Sequence, residues 1–521
     1  MFTQQLSPVG GSLGWSALVA TIPLVTVFVL LGVVRTKAYV AALAGLLASF
    51  VVALAVYGMP VAQALSGAVQ GAVFGLFPIM WIVVNALWIY RMTVYTRHFD
   101  VLRRSFGQVS SDTRIQGLIV AFCFGALMEA LAGFGAPVAI CSVMLVALGF
   151  TPLKAAAVSL VANTAPVAFG AMGTPVITLA QVTGLPLHTV ASVVGRQTPV
   201  LALFVPLLLV IIIDGWRGLR ETWLPALVCG VAFALAQFAV SNYVAPELAD
   251  IAASLLSAGA LVLTIRRRPV ESMEDSRAEV VRAYAPYGII IVIFAIGQIP
   301  PVKALLNQAT WTFHWPLLDV HSSSGKPVSG NTFSIPWLNT GGTLVLIAGI
   351  ITALVLRVPI KTAVAEWGRT VRELRFAILT VTAVLALAYV MNLSGQTTTI
   401  GFFIAGAGAA LAFLSPVLGW FGVAVSGSDT SANALFGALQ VTAAGRTGLA
   451  PELLAAANSS GGVLGKMISP QNLTIAAVAA QLPGSEGVML RKVLPWSVGL
   501  LVVMCVIVVL QSGSVLGWML P

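Results

Sequence analysis

Two stretches far apart in the chain carry the same chemical pattern. Asn163 to Pro175 reads NTAPVAFGAMGTP, and Asn458 to Pro470 reads NSSGGVLGKMISP. Counted from the asparagine, both place a hydroxyl residue at +1 (Thr164, Ser459), glycine at +7 (Gly170, Gly465) and methionine at +9 (Met172, Met467). A hydroxyl follows at +11 (Thr174, Ser469) and proline at +12 (Pro175, Pro470). Six matches in thirteen ungapped positions mark an internal repeat. Each copy is poor in Leu and Ile and rich in residues that break a helix or offer amide and hydroxyl contacts. The polar groups of Asn163, Thr164, Thr174, Asn458, Ser459, Ser460 and Ser469 suit a small carboxylate. Half-helix N-termini at such breaks add free N–H groups and the positive end of a dipole.

Few ionisable residues lie inside apolar sequence, and each is a functional candidate because burying an unpaired charge costs several kcal/mol. Glu129 sits in AFCFGALMEALAGFGAPVAI, just before the break Gly133, Phe134, Gly135, Ala136, Pro137. Asp429 sits in VAVSGSDTSANALF, among Ser426, Gly427, Ser428, Thr430, Ser431 and Asn433. Either carboxyl can carry a proton through a transport cycle. Alternatively Asp429 caps a half-helix and Glu129 is pinned by an internal bond. Ser428 and Thr430, beside Asp429, join the substrate-binding set. Lys466 stands at +8 of the second motif, where the first has Ala171. It is read as a buried cation that attracts an anionic substrate, as a structural partner of Asp429, or as a side chain that snorkels to the interface. Arg196, beside Gln197 and Pro199, is a further intramembrane cation with an expected structural pairing.

The surroundings explain why such polar breaks are noteworthy. The chain has 521 residues, 59% of them hydrophobic and 8% charged, with a mean hydropathy of +0.99. That composition belongs to a polytopic membrane protein. Polar, helix-breaking sequence at membrane depth is tolerated only where protein covers it or where it lines a cavity, and paired interruptions point to a transporter site. Apolar runs at 12–34, 38–58, 70–90, 189–213, 222–241, 249–265, 284–299, 342–356, 371–391 and 493–511 are expected to cross the ~30 Å hydrocarbon core. Between 115 and 185, and between 399 and 482, the apolar sequence is chopped by Gly, Pro, Ser and Asn, which predicts broken helices or re-entrant hairpins.

The expected fold is therefore an all-α polytopic membrane protein of about 12 to 14 transmembrane elements, in two repeat halves of inverted orientation. Residues 1–265 form the first half with the motif region 129–175, 266–283 a cytoplasmic linker, and 284–521 the second half with the motif region 426–472. The net charge of +10 comes mostly from short loops, where it sets topology instead of binding nucleic acid. Arg35 with Lys37, the arginines from Arg91 to Arg114, Arg217 with Arg220, Arg266 to Arg282, Arg357 to Arg375, and Arg491 with Lys492 are read as cytoplasmic, with both termini outside. The 300–340 region reads as an external loop with an interfacial aromatic patch. Cys123, Cys141, Cys229 and Cys505 lack metal-ligand spacing and read as core thiols. HExxH, a nucleophile elbow and a Cys/His cluster are all missing from the sequence, so an enzyme is not expected.

GFGAPVAI, VANTAPVAFGAMGTPV, VTGLP with VGRQTP, DGWRGLRETWLPA, SGSDTSANALFGALQ and NSSGGVLGKMISPQN together resemble the lactate permease family, which includes glycolate permeases, over essentially the whole chain. The resemblance implies uptake of L-lactate, D-lactate and glycolate across the bacterial inner membrane with a co-transported proton. It also implies kinship with ion transporters built from inverted repeats with paired re-entrant hairpins. No cofactor or metal is expected. The expected partners are a lactate or glycolate anion, a proton, the lipid bilayer and a second copy of the chain. The rival reading is sodium-coupled symport of a small carboxylate, because asparagine, serine and unwound carbonyls also hold Na⁺.

Overall fold

The computed structural model describes residues 1–107, 110–133, 135–265 and 275–521. Arg266 to Glu274 of the expected linker, and Phe134 of the first break, lie outside the described residues. Among the described residues, ten helices are long and apolar enough to cross a membrane, and a bent pair raises the number to eleven. The longest, Leu187–Tyr243, has 57 residues, far more than one crossing needs at ~1.5 Å per residue. It turns at Gly215 (φ 67°, ψ −162°) and Thr222 (φ −125°, ψ 19°) and folds back on itself. Gly230 packs on the Leu203 carbonyl and Gly195 on Ser241, which is the antiparallel pairing of the runs expected at 189–213 and 222–241.

The interruptions fall where the sequence places them. Helix Pro152–Ala162 and the segment Val167–Thr183 are bent by 64°, and within the second of these Ala171, Met172 and Gly173 have φ of 45°, 57° and 75°. Left-handed backbone is costly for residues with a Cβ, so Ala171 and Met172 hold this turn only because their surroundings fix it. The second motif breaks more gently. Helix Pro451–Gly465 passes through the 3₁₀ turn Lys466–Ile468 into Pro470–Ala479, with Ser469 accepting from the Asn472 amide at 3.3 Å as its cap.

Each broken helix follows a helical hairpin. Ala136–Ala147 returns along the preceding helix, where Cys141 donates to the Val120 carbonyl at 3.3 Å. Gly135 makes the turn at φ 86°, and a side chain there would meet Ile475 at 2.4 Å. The second hairpin joins Leu411–Ser426 to Asp429–Thr447 through Gly427 at φ 73°. Helix Leu411–Ser426 also packs closely on Pro451–Gly465. A Cβ on Gly461 would lie 2.1 Å from the Pro416 carbonyl oxygen and one on Gly465 2.2 Å from that of Trp420, so these glycines allow backbone contact.

The elements sort into two packed groups. One contains the helices of residues 13–95 together with Arg277–Gln298, Gly341–Val355, Ile360–Ser394 and Gln396–Ile404; the other contains the hairpins, the broken helices, Leu187–Tyr243, Ala249–Thr264 and Glu486–Gln511. Both groups draw on residues from before and after the linker. The 300–340 region is more ordered than a plain loop: Thr310–His314 pairs antiparallel with Thr332–Pro336, and Phe2–Thr3 pairs in parallel with Val320–His321. Trp315 packs edge-on to Phe333 at 5.0 Å between ring centroids, and Trp311 packs on Phe313 at 4.8 Å.

Candidate functional site

Glu129 ends the descending arm of the first hairpin and Lys466 opens the turn of the second broken helix. The Lys466 Nζ donates to Glu129 Oε1 at 2.5 Å, and Asn163 Nδ2 donates to Glu129 Oε2 at 2.9 Å. Both carboxylate oxygens are thus engaged, and both residues are buried, at 3% and 7% exposure. A charge pair this dry persists only when hydrogen bonds satisfy its remaining valences, and Asn163 supplies one. Gly170 leaves room for the group, since a Cβ there would sit 2.8 Å from Oε1. The Lys466 carbonyl accepts from Asn472 Nδ2 at 2.9 Å and from Ser469 Oγ at 3.0 Å, which fixes the backbone that carries the ammonium.

Lys466 therefore pairs with Glu129 and not with Asp429, the carboxylate that sequence proximity offers. Asp429 Oδ2 is already occupied, by Ser459 Oγ at 2.7 Å and Asn433 Nδ2 at 3.3 Å. Asp429 is the first residue of its helix, and Ser428 caps that helix by accepting from the Ser431 amide at 3.2 Å. Among the described residues its Oδ1 has no hydrogen-bond partner.

Asn433 ties the two motifs together. Its Nδ2 donates to the Pro175 carbonyl at 3.1 Å and to Ser459 Oγ at 3.1 Å, while its Oδ1 accepts from Asn458 Nδ2 at 2.9 Å. Gln440 Nε2 in turn donates to Asn458 Oδ1 at 3.3 Å. Pro175 closes the first motif and Asn458 opens the second, so one buried amide spans both.

A cavity of about 1120 Å³ opens onto this arrangement, with Glu129, Thr174, Ser428, Asp429, Thr430 and Lys466 in its wall. Of the remaining residues expected to bind substrate, Asn163, Asn458, Ser459 and Ser469 are buried behind the wall in the bonds just described. Thr164 and Ser460 are buried as well, and their hydroxyls have no partner among the described residues. Arg196 stands apart: it donates to Asn242 Oδ1 at 2.9 Å and to the Met519 carbonyl at 2.7 Å, bonds that serve structure.

Two residues near the site, Asp250 and Gln237, were not singled out from the sequence. Asp250, at 0% exposure, lies within electrostatic reach of Glu129 and Lys466. Its Oδ1 accepts from Gln237 Nε2 at 2.9 Å, and the same nitrogen donates to the Ala165 carbonyl inside the first break at 3.2 Å. The only hint in the sequence is an acid in the apolar stretch ADIAASLL, which reads equally as a favourable charge in a first helical turn. Among the described residues no group of three or more His, Cys, Asp or Glu could hold a metal ion.

The family profile for L-lactate permease matches residues 16–514. The chain belongs to the L-lactate permease family. It is 40% identical to the L-lactate permease of Bacillus subtilis strain 168 over 567 residues, covering 100% of both chains. It is 41% identical to the glycolate permease of Escherichia coli strain K12 over 550 residues, covering 98% of each. Among solved structures, the YdaH transporter of Alcanivorax borkumensis is similar in fold, with a TM-score of 0.50 at 16% identity over 98% of this chain and 99% of that one. Permeases are transporters, not enzymes, and the family's helical, multi-pass membrane architecture is the one described above.

Proposed function

We propose that the protein takes up L-lactate and related 2-hydroxy monocarboxylates, D-lactate and glycolate among them, across the bacterial inner membrane by proton symport. The substrate class follows from relatives named L-lactate permease and glycolate permease. The observation that carries the mechanism is the buried Lys466–Glu129 pair in the cavity wall. In the empty site the ammonium is neutralised by an internal carboxylate. A substrate carboxylate competes for that ammonium and frees Glu129, and a proton on Glu129 then restores neutrality.

The loaded site holds one cation, one substrate anion and one protonated acid, so its net charge equals that of the empty site. Equal charge lowers the cost of moving the loaded and empty forms through a low-dielectric region. Asp429, in the wall of the same chamber, is the second proton-coupling candidate. Thr174, Ser428 and Thr430 offer hydroxyl partners for the substrate carboxylate and its 2-hydroxyl group. Asn163, Asn458, Ser459 and Ser469 support these groups from behind.

The deciding experiment is lactate uptake into proteoliposomes free of sodium, driven by an imposed gradient with the outside acidic. Accumulation above the external concentration is expected, and dissipating the pH gradient with a protonophore abolishes it. Uptake that instead requires a sodium gradient assigns the coupling to Na⁺. A competition panel of L-lactate, D-lactate, glycolate, pyruvate and acetate then orders the substrates.

A further inference from the structure

The inner end of the cavity is occupied by a cation that already has a counter-ion. Its outer end is different. The wall continues from Glu129, Asp429 and Lys466 to Leu31, Arg35, Thr36, Lys37 and Tyr39 on one side and Phe376 on the other. Arg35 and Lys37 are both exposed. Among the described residues neither has an ion-pair partner. Besides Glu129 and Asp429, the wall also holds the acid Glu486.

The backbone that carries these two cations is held in an unusual shape. Arg35 has φ of 58°, a conformation that a residue with a Cβ adopts only when its surroundings impose it. The neighbouring Thr36 fixes the turn, its amide and its hydroxyl both donating to the Leu30 carbonyl at 2.8 and 3.0 Å. Tyr39 stacks on Phe376 at 5.1 Å, and the Arg375 guanidinium lies 4.7 Å over the same Phe376 ring. A topology signal needs only basic residues somewhere in a short loop. Here the two residues line the same chamber as Lys466.

We infer that Arg35 and Lys37 form a capture site for the anionic substrate at the mouth of the cavity on the side read as cytoplasmic, where a carboxylate released from Lys466 is held and from which it can return to Lys466 in exchange. This rests on the carboxylate-transport reading above. The physical reason is sequential: an anion entering from that side meets unpaired cations first and reaches the paired ammonium second, and a released anion passes them in the opposite order. Cations lining a cleft raise the local concentration of an anion and its association rate by roughly 10- to 1000-fold, an effect that falls with ionic strength. Once the anion has moved inward, the mouth cations are free again.

The test is the double variant Arg35→Gln with Lys37→Gln, measured for lactate flux in right-side-out and inverted membrane vesicles at low and high concentrations of an impermeant salt. At low salt the variant is expected to raise KM roughly tenfold on the face that bears these residues, with maximal flux at saturating lactate unchanged. The gap should close at high salt, and Arg35→Lys should behave like the unaltered protein. Membrane orientation of the variant, read from labelling of a single introduced cysteine, is expected to be preserved. An unchanged KM at low salt, or a rise that is equal on both faces and independent of salt, overturns the inference. If the unaltered protein carries no lactate, the functional reading fails; normal flux with an unaffected variant sinks the capture site alone.

Discussion

Lys466 Nζ lies 2.5 Å from Glu129 Oε1, although 337 residues separate the two in the chain. The contact joins the first hairpin to the second broken helix and places opposite charges in the wall of a cavity that both helix groups line. Removing one partner leaves an uncompensated buried charge, which costs about 3–5 kcal/mol.

Lys466→Ala is therefore expected to abolish uptake and to lower the melting temperature of the detergent-purified protein. Glu129→Gln removes the acid and keeps its shape, so exchange of external for internal lactate should persist while pH-driven accumulation is lost. Joining the two changes should recover part of the lost stability, because no lone charge remains. Thermal melts of the three variants check this. A double variant less stable than the sum of the single losses would falsify the pairing.

Asp429→Asn should eliminate uptake with expression intact, because the neutral amide keeps the size of the group but cannot hold a proton in the cycle. Ser459→Ala removes one donor to Asp429 Oδ2 and is expected to be milder, at about 1–3 kcal/mol for the bond lost. Asn433→Leu should be worse than Ser459→Ala, since Asn433 bonds to Pro175, Ser459 and Asn458 at once. Initial uptake rates at equal surface expression give the ranking.

How much of this site the sequence announces depends on the range of the interaction. Breaks are local, so Gly135, Gly427, Pro137 and Pro470 could be read directly from their neighbours. The polar set around Asp429 was also local, because Ser428 caps the helix in which Asp429 and Asn433 stand one turn apart. The partner of Lys466 was not local. Nothing in GVLGKMIS distinguishes a lysine aimed at Glu129 from one aimed at Asp429, and only the packing of the two hairpin regions decides it.

Two further features were hidden for different reasons. Asp250 looks like an ordinary acid at the start of a helix, and its burial arises from the helices Gly125–Leu131 and Leu187–Tyr243 packed around it. The strands Thr310–His314 and Thr332–Pro336 did carry a signal, alternation of aromatic and β-branched residues in TWTFH and TFSIP. Their Ser- and Gly-rich connection suggested a loop throughout, and pairing across such a gap is a tertiary property.

Gly170→Ala tests the tight fit around Glu129 without touching a charge. The new methyl group would sit 2.8 Å from Oε1 and 3.0 Å from Cγ of Glu129, so the carboxyl must move away from Lys466 and Asn163. Overpacking of this kind costs about 1–3 kcal/mol. Uptake is expected to fall sharply while the protein still folds, and lactate affinity should change more than expression. Gly461→Ala, which crowds the Pro416 carbonyl outside the cavity lining, should instead reduce the folded yield.

Gln237→Leu addresses the support behind the site. Gln237 Nε2 holds both the Ala165 carbonyl and Asp250 Oδ1, and its Oε1 accepts from the Thr198 hydroxyl at 3.3 Å. Leucine fills the same space and satisfies none of the three. Thr198 keeps its bond to the Val194 carbonyl at 3.0 Å, but the Ala165 carbonyl and Asp250 Oδ1 each lose a donor at about 1–3 kcal/mol, and because Ala165 lies within the first break, the loss is transmitted to the backbone that carries Asn163. The variant should melt well below the unaltered protein and transport poorly even where it folds. Gln237→Glu, which retains an acceptor for Thr198 but places a second acid against Asp250, should be more damaging at neutral than at acidic pH. Uptake rates relative to the unaltered protein, normalised to folded protein at pH 5.5 and 7.5, measure the difference, and an equal ratio at the two values would exclude direct contact between residue 237 and Asp250 in the working transporter.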